Sequence, residues 1–155
     1  MQYRRVPPAA DIDTLTAVWE AVPSSSETTE DCCGRICART DVDFRENASD
    51  WLIFLTALGC VEDDGDGYHR HGELPGVETL GRRFESAVFG VDAVLDQLDT
   101  DEALSPDEVV DGLERSLRER MERAGDTSYV GRLLAWAVVF GCARETSDGY
   151  VLAEG

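Results

Sequence analysis

The sequence predicts a mainly helical α+β protein made of two tandem copies of one unit, in which helices are followed by a small β-hairpin. The segment Gly59–Tyr68 returns at a constant offset as Gly141–Tyr150, and both copies open with Gly-Cys and close with Gly-Tyr. An apolar run with helical spacing precedes each copy. An ungapped match at both ends of the segment indicates an internal duplication.

The first copy predicts three helices and a hairpin. A helix begins at Asp11 or Asp13, which can cap its free N–H groups, and runs to about Val22, before the Pro-Ser break. A third helix carries the broad apolar stripe of 51–58 and ends at Gly59. The remaining elements are a short helix over 28–39, strands at 60–62 and 68–70, and an Asp- and Gly-rich turn between the strands.

The second copy predicts longer helices. A long helix is expected over 77–98, with Gly81 and Gly90 as points where it can bend. Ser105, with Pro next and Glu108 three residues on, predicts a helix start with a capping box. That helix is expected to end near 125. The other expected elements are a last helix over 128–140 and strands at 142–144 and 150–152. The predicted division is a leader at 1–10, a first module at 11–73 and a second module at 74–155.

The charge of the chain is strongly negative. It has 32 acidic and 14 basic residues, a net charge of −18, and every basic residue is Arg. An acid-rich, Lys-free composition with a large apolar content resembles the proteins of salt-in halophilic archaea. In molar salt, self-repulsion is screened over a Debye length of about 3 Å. Since DNA-binding proteins of such organisms are acidic too, net charge does not decide between nucleic-acid and protein partners.

Composition also bears on compartment. No stretch approaches the 18 apolar residues of a membrane span, and residues 1–6 lack the apolar part of a signal peptide. The five cysteines are an odd number, which favours reduced thiols. We therefore expect a cytoplasmic protein without a membrane span.

Three helices followed by Gly and a two-stranded hairpin resemble the winged-helix family. The residues that carry the resemblance are Leu52–Tyr68 and Leu134–Tyr150. The resemblance implies two tandem winged-helix modules. It also implies that the third helix of each module lies in the major groove of DNA, with the hairpin, or wing, beside it on the backbone.

Carried onto this sequence, the resemblance implies a set of DNA-facing positions. The nucleic-acid-binding candidates are Arg35, Arg39, Arg45, Asn47, Ser49, Arg115, Arg118, Arg132 and Arg144. Asp50, Thr56, Thr127 and Ser128 are further polar positions of the third helices, and the wings are 63–66 and 144–147. Three aspartates in the first wing repel phosphate. The arginines of 115–123 alternate with glutamates at helical spacing, so a solvated, ion-paired face is the competing interpretation.

The sequence supports metal and catalytic sites less than it supports nucleic-acid-binding positions. Cys32, Cys33 and Cys37, with His69 and His71, lack the paired Cys-x-x-Cys spacing of a zinc site, which favours cysteines packed in the core. The acids between 62 and 73 fit a calcium loop only superficially, because the first ligand position is Glu and no exit helix can follow at once. We expect no metal, no cofactor and no catalytic constellation.

The sequence therefore predicts a non-enzymatic, DNA-associated transcriptional regulator with two winged-helix modules. The alternative is a protein–protein interaction scaffold or adaptor that uses the same modules without DNA binding. The expected partners are double-stranded DNA, a protein partner or a second copy of the chain.

Overall fold

A computed structural model describes residues 6–23, 34, 36–38, 40, 45–63, 67–124 and 129–153, with only the backbone at 45–46 and 120–124. Seven helices with defined bounds and two antiparallel hairpins lie within this part of the chain, and residues 34 and 36–38 are helical as well. The elements with defined bounds are α1 (Ile12–Ala21), α2 (Arg45–Ala57), β1 (Val61–Asp63), β2 (Tyr68–Arg70), α3 (Val77–Ala87), α4 (Val91–Gln97), α5 (Pro106–Gly112), α6 (Arg115–Ala124), α7 (Tyr129–Val139), β3 (Ala143–Thr146) and β4 (Gly149–Leu152). None of the helices described is long and apolar enough to cross a membrane.

The two helix–hairpin junctions have the same backbone hydrogen bonds, which confirms the predicted duplication. The N–H of Cys60 donates to the carbonyl of Leu55 over 2.9 Å, and that of Cys142 donates to Ala137 over 2.8 Å. After each hairpin a further N–H returns to the same cysteine, from His71 to Cys60 and from Ala153 to Cys142. All three positions in one junction have their equivalents in the other at the sequence offset.

A left-handed glycine makes this junction. Gly59 and Gly141 have φ angles of +74° and +76°, which end α2 and α7 and turn the chain into β1 and β3. The strand registers repeat as well, since Val61 pairs with Arg70 and Ala143 with Leu152. The predicted Gly-to-Tyr motif therefore has the same backbone conformation and strand register in both copies.

Each hairpin is flanked on its return strand by the segment that follows an earlier helix. The N–H of Arg70 donates to Pro23, directly after α1, over 2.8 Å. At the equivalent position Leu152 donates to Asp99, directly after α4, over 2.9 Å, and Leu104 forms an antiparallel bridge with Tyr150. Since α1 and α4 both lead into this pairing, α4 is the counterpart of α1.

One core connects the two copies. Phe54 of α2 and Trp136 of α7 occupy equivalent positions in the repeat, and their ring centroids lie 4.7 Å apart. Phe84 of α3 lies 6.1 Å from Phe54 and 5.2 Å from Phe140, so it contacts the core on both sides. Apart from Val151, the buried hydrophobic residues of the described part form a single cluster that spans both copies. The boundary at 73/74 stays a prediction.

Two predicted helices of the second copy are interrupted, and both corrections have a local cause. The helix expected over 77–98 is divided into α3 and α4 by Gly90, whose φ of +85° is left-handed. The helix expected from Ser105 to about 125 ends at Gly112, because Leu113 is extended and buried. The predicted capping box is present, since Ser105 and Glu108 each accept from the other's backbone N–H.

Candidate functional site

The third helices of the two copies, α2 and α7, have no fully exposed side chain among those described. Within the residues whose side chains are described, 47–57 and 129–139, every position is buried or half-buried. Phe54 and Trp136 place one face of each helix against the other helix. A helix that reads the major groove needs a row of accessible polar side chains, and the described polar side chains of both helices are at most half-exposed.

The leader covers part of α7. Arg132 donates from Nη1 to the carbonyl of Val6 over 2.9 Å, and Trp136 donates from Nε1 to the carbonyl of Pro7 over 2.9 Å. Val6 is 3% exposed, so the leader is packed as well as hydrogen-bonded. Val6 of the predicted leader at 1–10 thus belongs to the core cluster.

A groove of about 500 Å³ lies between the outer face of α2 and the first hairpin. We call it the α2 groove. Its lining combines apolar side chains, two carboxylates and an imidazole: Ile53, Thr56, Gly59, Val61, Glu62, Asp63, Tyr68 and His71. In a winged-helix domain this is the space between the third helix and the wing. Its volume is within the range of small-ligand pockets.

The charge of the α2 groove comes from β1. Glu62 Oε2 lies 3.2 Å from His71 Nδ1 and 3.7 Å from His69 Nε2, so two imidazoles contact one carboxylate oxygen. Glu62 and Asp63 are both exposed. No arginine is among the residues that line this groove. The arrangement repels phosphate and attracts cations.

The nucleic-acid-binding candidates of the first copy lie on or before α2. Arg35 and Arg39 are outside the described residues, and Arg45 is described by its backbone alone, at the start of α2. Asn47 and Ser49 are half-buried. Of the further polar positions, Asp50 and Thr56 are half-buried too, and the Thr56 hydroxyl donates to Leu52 within its own helix over 2.7 Å.

The candidates of the second copy lie on three separate elements. Arg115 begins α6 and forms an ion pair with Glu119, 3.3 Å from Nε to Oε1, as the competing interpretation of this stretch expects. Arg118 is half-buried one turn on, while Arg144 on β3 is exposed. Arg132 is engaged with the leader. Thr127, Ser128 and the first wing at 64–66 lie outside the described residues.

Metal and thiol chemistry find little support in the described part. No group of three His, Cys, Asp or Glu side chains is close enough there to hold a metal ion. Cys32 and Cys33 lie outside it. Cys60 is fully buried, and this burial raises the pKa of its thiol to about 11, against a weaker opposite effect of the Arg83 charge. Cys60 is therefore a protonated core residue, as its place in the repeat predicts.

The sequence did not predict one residue that contacts the end of α2. Arg83 on α3 donates from Nη1 to the carbonyl of Leu58 over 3.0 Å and lies against Gly59, where α2 ends. A cation at a helix C-terminus stabilises the free carbonyls of the last turn. Arg83 is one of two arginines on the helix predicted over 77–98, and no pattern distinguishes it from Arg82.

The comparison with protein families decides the assignment of the whole chain. The model of the halobacterial double winged helix domain matches residues 1–155. The chain belongs to this family. No curated protein and no solved structure matches it. The assignment confirms the tandem winged-helix architecture and the halophilic origin that the composition resembles, and the double winged helix is a fold of the DNA-binding type.

Proposed function

We propose that this double winged helix protein is a non-enzymatic, cytoplasmic adaptor that acts through contacts with another protein. The observation that carries the proposal is the state of the two third helices. Along α2 and α7 no described side chain is exposed, and the groove beside α2 is lined by Glu62 and Asp63. The surface that would read DNA in a winged-helix module is thus covered in one copy and acidic in the other.

Electrostatics supports the same conclusion. Binding to DNA depends on cations that neutralise phosphates, and base readout depends on side chains that reach the groove. Of the arginines with described side chains, Arg132 donates to the leader and Arg83 to Leu58. A protein partner with a basic or apolar contact surface needs neither cations for phosphates nor side chains that reach the DNA groove.

The test is a measurement of duplex DNA binding by fluorescence anisotropy, with a pool of random duplexes, from the lowest KCl concentration that keeps the fold up to molar KCl. We expect no saturable binding at any concentration. Circular dichroism at each salt concentration controls for unfolding. Saturable binding whose affinity falls with salt would overturn the proposal.

A DNA-associated transcriptional regulator is the second candidate. It is favoured by the family's DNA-binding type of fold and by the exposed Arg115 and Arg144. In this case arginines outside the third-helix faces would contact phosphates, together with Arg35, Arg39 and Arg45. Any binding seen in the anisotropy assay should then fall severalfold when Arg35, Arg39 and Arg45 are replaced by Ala. The exposed Arg82 of α3, replaced by Ala, is the control.

A further inference from the structure

We propose that the α2 groove binds an arginine side chain of the partner protein. The inference rests on the proposed function, because it names the chemistry by which the adaptor would recognise its partner. The α2 groove is open to the surface on the side of the first hairpin, since Glu62, Asp63 and His71 in its lining are exposed. A side chain from another protein can therefore enter it without a change in the fold.

The shape and lining of the groove fit a long side chain with a charged end. Ile53 and Val61 supply apolar surface to the lining, and the half-buried Tyr68 of β2 adds an aromatic ring. Glu62 and Asp63 supply carboxylates at the rim. A methylene stem can pack on the apolar walls while the charged head reaches the carboxylates, which is how Arg and Lys bury their stems.

Nearby bases of the same chain have partners of their own. The Arg70 guanidinium lies over the Trp19 ring, 5.4 Å from its centroid. Arg83 donates to the carbonyl at the end of α2. Among the described residues, these two arginines beside the groove are thus held in other contacts, and the groove presents the carboxylates of Glu62 and Asp63, the first in contact with the imidazoles of His69 and His71.

A guanidinium fits better than an ammonium or a metal ion. It is planar, stacks on an aromatic ring, and donates two parallel hydrogen bonds to a carboxylate. Among the described residues, no group of three His, Cys, Asp or Glu side chains is close enough to hold a metal ion. In molar salt, steering over distance is screened, so recognition must come from contact inside a groove with apolar walls.

The repeat provides an internal comparison. Glu62 and Asp63 of the first hairpin correspond to Arg144 and Glu145 of the second. With Arg144 in the place of Glu62, the equivalent position in the second copy repels a guanidinium. One chain should therefore bind one arginine side chain, at the first hairpin.

The experiment is an NMR titration of the full chain with the capped peptide Gly-Gly-Arg-Gly-Gly, and with the same peptide carrying citrulline, which keeps the shape but not the charge. We expect shifts confined to the lining residues of the α2 groove with the Arg peptide and none with citrulline. Glu62→Gln should weaken binding about tenfold, in keeping with the loss of one hydrogen bond to a charged group. Glu145→Gln, on the second hairpin, is the matched control and should leave the affinity unchanged.

The possible outcomes separate the inference from the proposed function. Equal shifts with Arg and citrulline, or shifts that Glu62→Gln leaves unchanged, would overturn the arginine site. Shifts at Arg144 instead of the groove would do the same. If no peptide binds while the anisotropy assay still shows no DNA binding, the arginine site fails and the adaptor function stands. If duplex DNA binds and shifts the groove residues, both fail.

Discussion

Gly149 is the residue at which the second hairpin tolerates no side chain. Its φ is +139°, and a Cβ there would collide with the Leu104 carbonyl and the Ser105 nitrogen, where the flanking segment meets β4. We expect Gly149→Ala to lower the free energy of unfolding by about 3 kcal/mol, through strain and overpacking together. Urea denaturation in molar KCl measures this change.

The control for that substitution is Gly141→Ala. Gly141 has a φ of +76°, but nothing lies within 4 Å of its Cβ position. Gly141→Ala should lower the free energy of unfolding by about 1 kcal/mol, because the left-handed conformation is the only source of strain. Equal costs for the two substitutions would show that the contact with Leu104 is not what requires a glycine at 149.

The buried thiol of Cys60 predicts how stability depends on alkaline pH. Burial raises its pKa from the ordinary value of 9.0 to about 11, so the folded state holds the proton more tightly than the unfolded state. Stability is unaffected by this group below about pH 9 and falls as the pH rises from there towards 11. At pH 10 the expected loss is about 1 kcal/mol from this thiol.

The measurement compares the free energy of unfolding at pH 8 and pH 10 in the natural chain and in Cys60→Ala. The variant should lose less stability over this interval, whatever its cost at pH 8. Cys142 and Tyr150 titrate in the same direction, since burial raises the pKa of both, so part of the loss will remain. An identical pH dependence in both chains would contradict the buried-thiol account.

Among the elements, the leader makes a contact that the sequence did not predict. Trp136 gives a hydrogen bond to Pro7, and its ring lies 5.4 Å from Trp51 and 5.3 Å from Phe140. Trp136→Phe keeps a ring in this cluster but removes the donor. We expect a loss of about 1 to 2 kcal/mol in the free energy of unfolding, from the hydrogen bond and a smaller ring.

A double-mutant cycle assigns that loss to the leader. The second variant lacks residues 1–8, and the combined variant carries both changes. If Trp136 acts through the leader, its substitution should cost at least about 0.5 kcal/mol less in the shortened chain. Additive costs would mean that the ring contacts alone account for the effect.

The helices also show which element boundaries local sequence determines. The start of α5 was predicted because Ser105, Pro106 and Glu108 carry their capping chemistry within one turn. The ends of α3 and α5 were not predicted from the sequence. Each helix ends there because the next residue, Val88 or Leu113, has an extended backbone and is buried in the core. Such a helix end depends on where the core lies. The apolar residues of the sequence keep their helical spacing beyond the point where the helix ends, so the spacing does not indicate the end.

For the whole molecule, the shared core predicts cooperative unfolding of both copies. Leu15 of α1 is fully buried in the first copy, and Leu15→Ala should cost about 2–5 kcal/mol. If the chain unfolds as one unit, hydrogen exchange of α7 amides in the second copy should accelerate by the same free energy as that of α2 amides. NMR-detected exchange measures both in one sample.

Val77→Ala is the matched control, since Val77 is 39% exposed at the start of α3. It should leave exchange in both helices nearly unchanged. Exchange that accelerates in α2 alone would show that the two copies unfold independently, despite the contact between Phe54 and Trp136.

The sequence by itself determined the duplication, the helix–hairpin junctions and the acidic first hairpin. These depend on residues adjacent in the chain: glycines that adopt a left-handed φ, capping side chains, and carboxylates on a short strand. Only the tertiary structure decided that α2 and α7 face each other, that the leader covers α7, and that Ile53 and Tyr68 meet Glu62 in one groove. Those contacts join residues far apart in the chain, and their free energy comes from burying apolar faces whose partners no local pattern specifies.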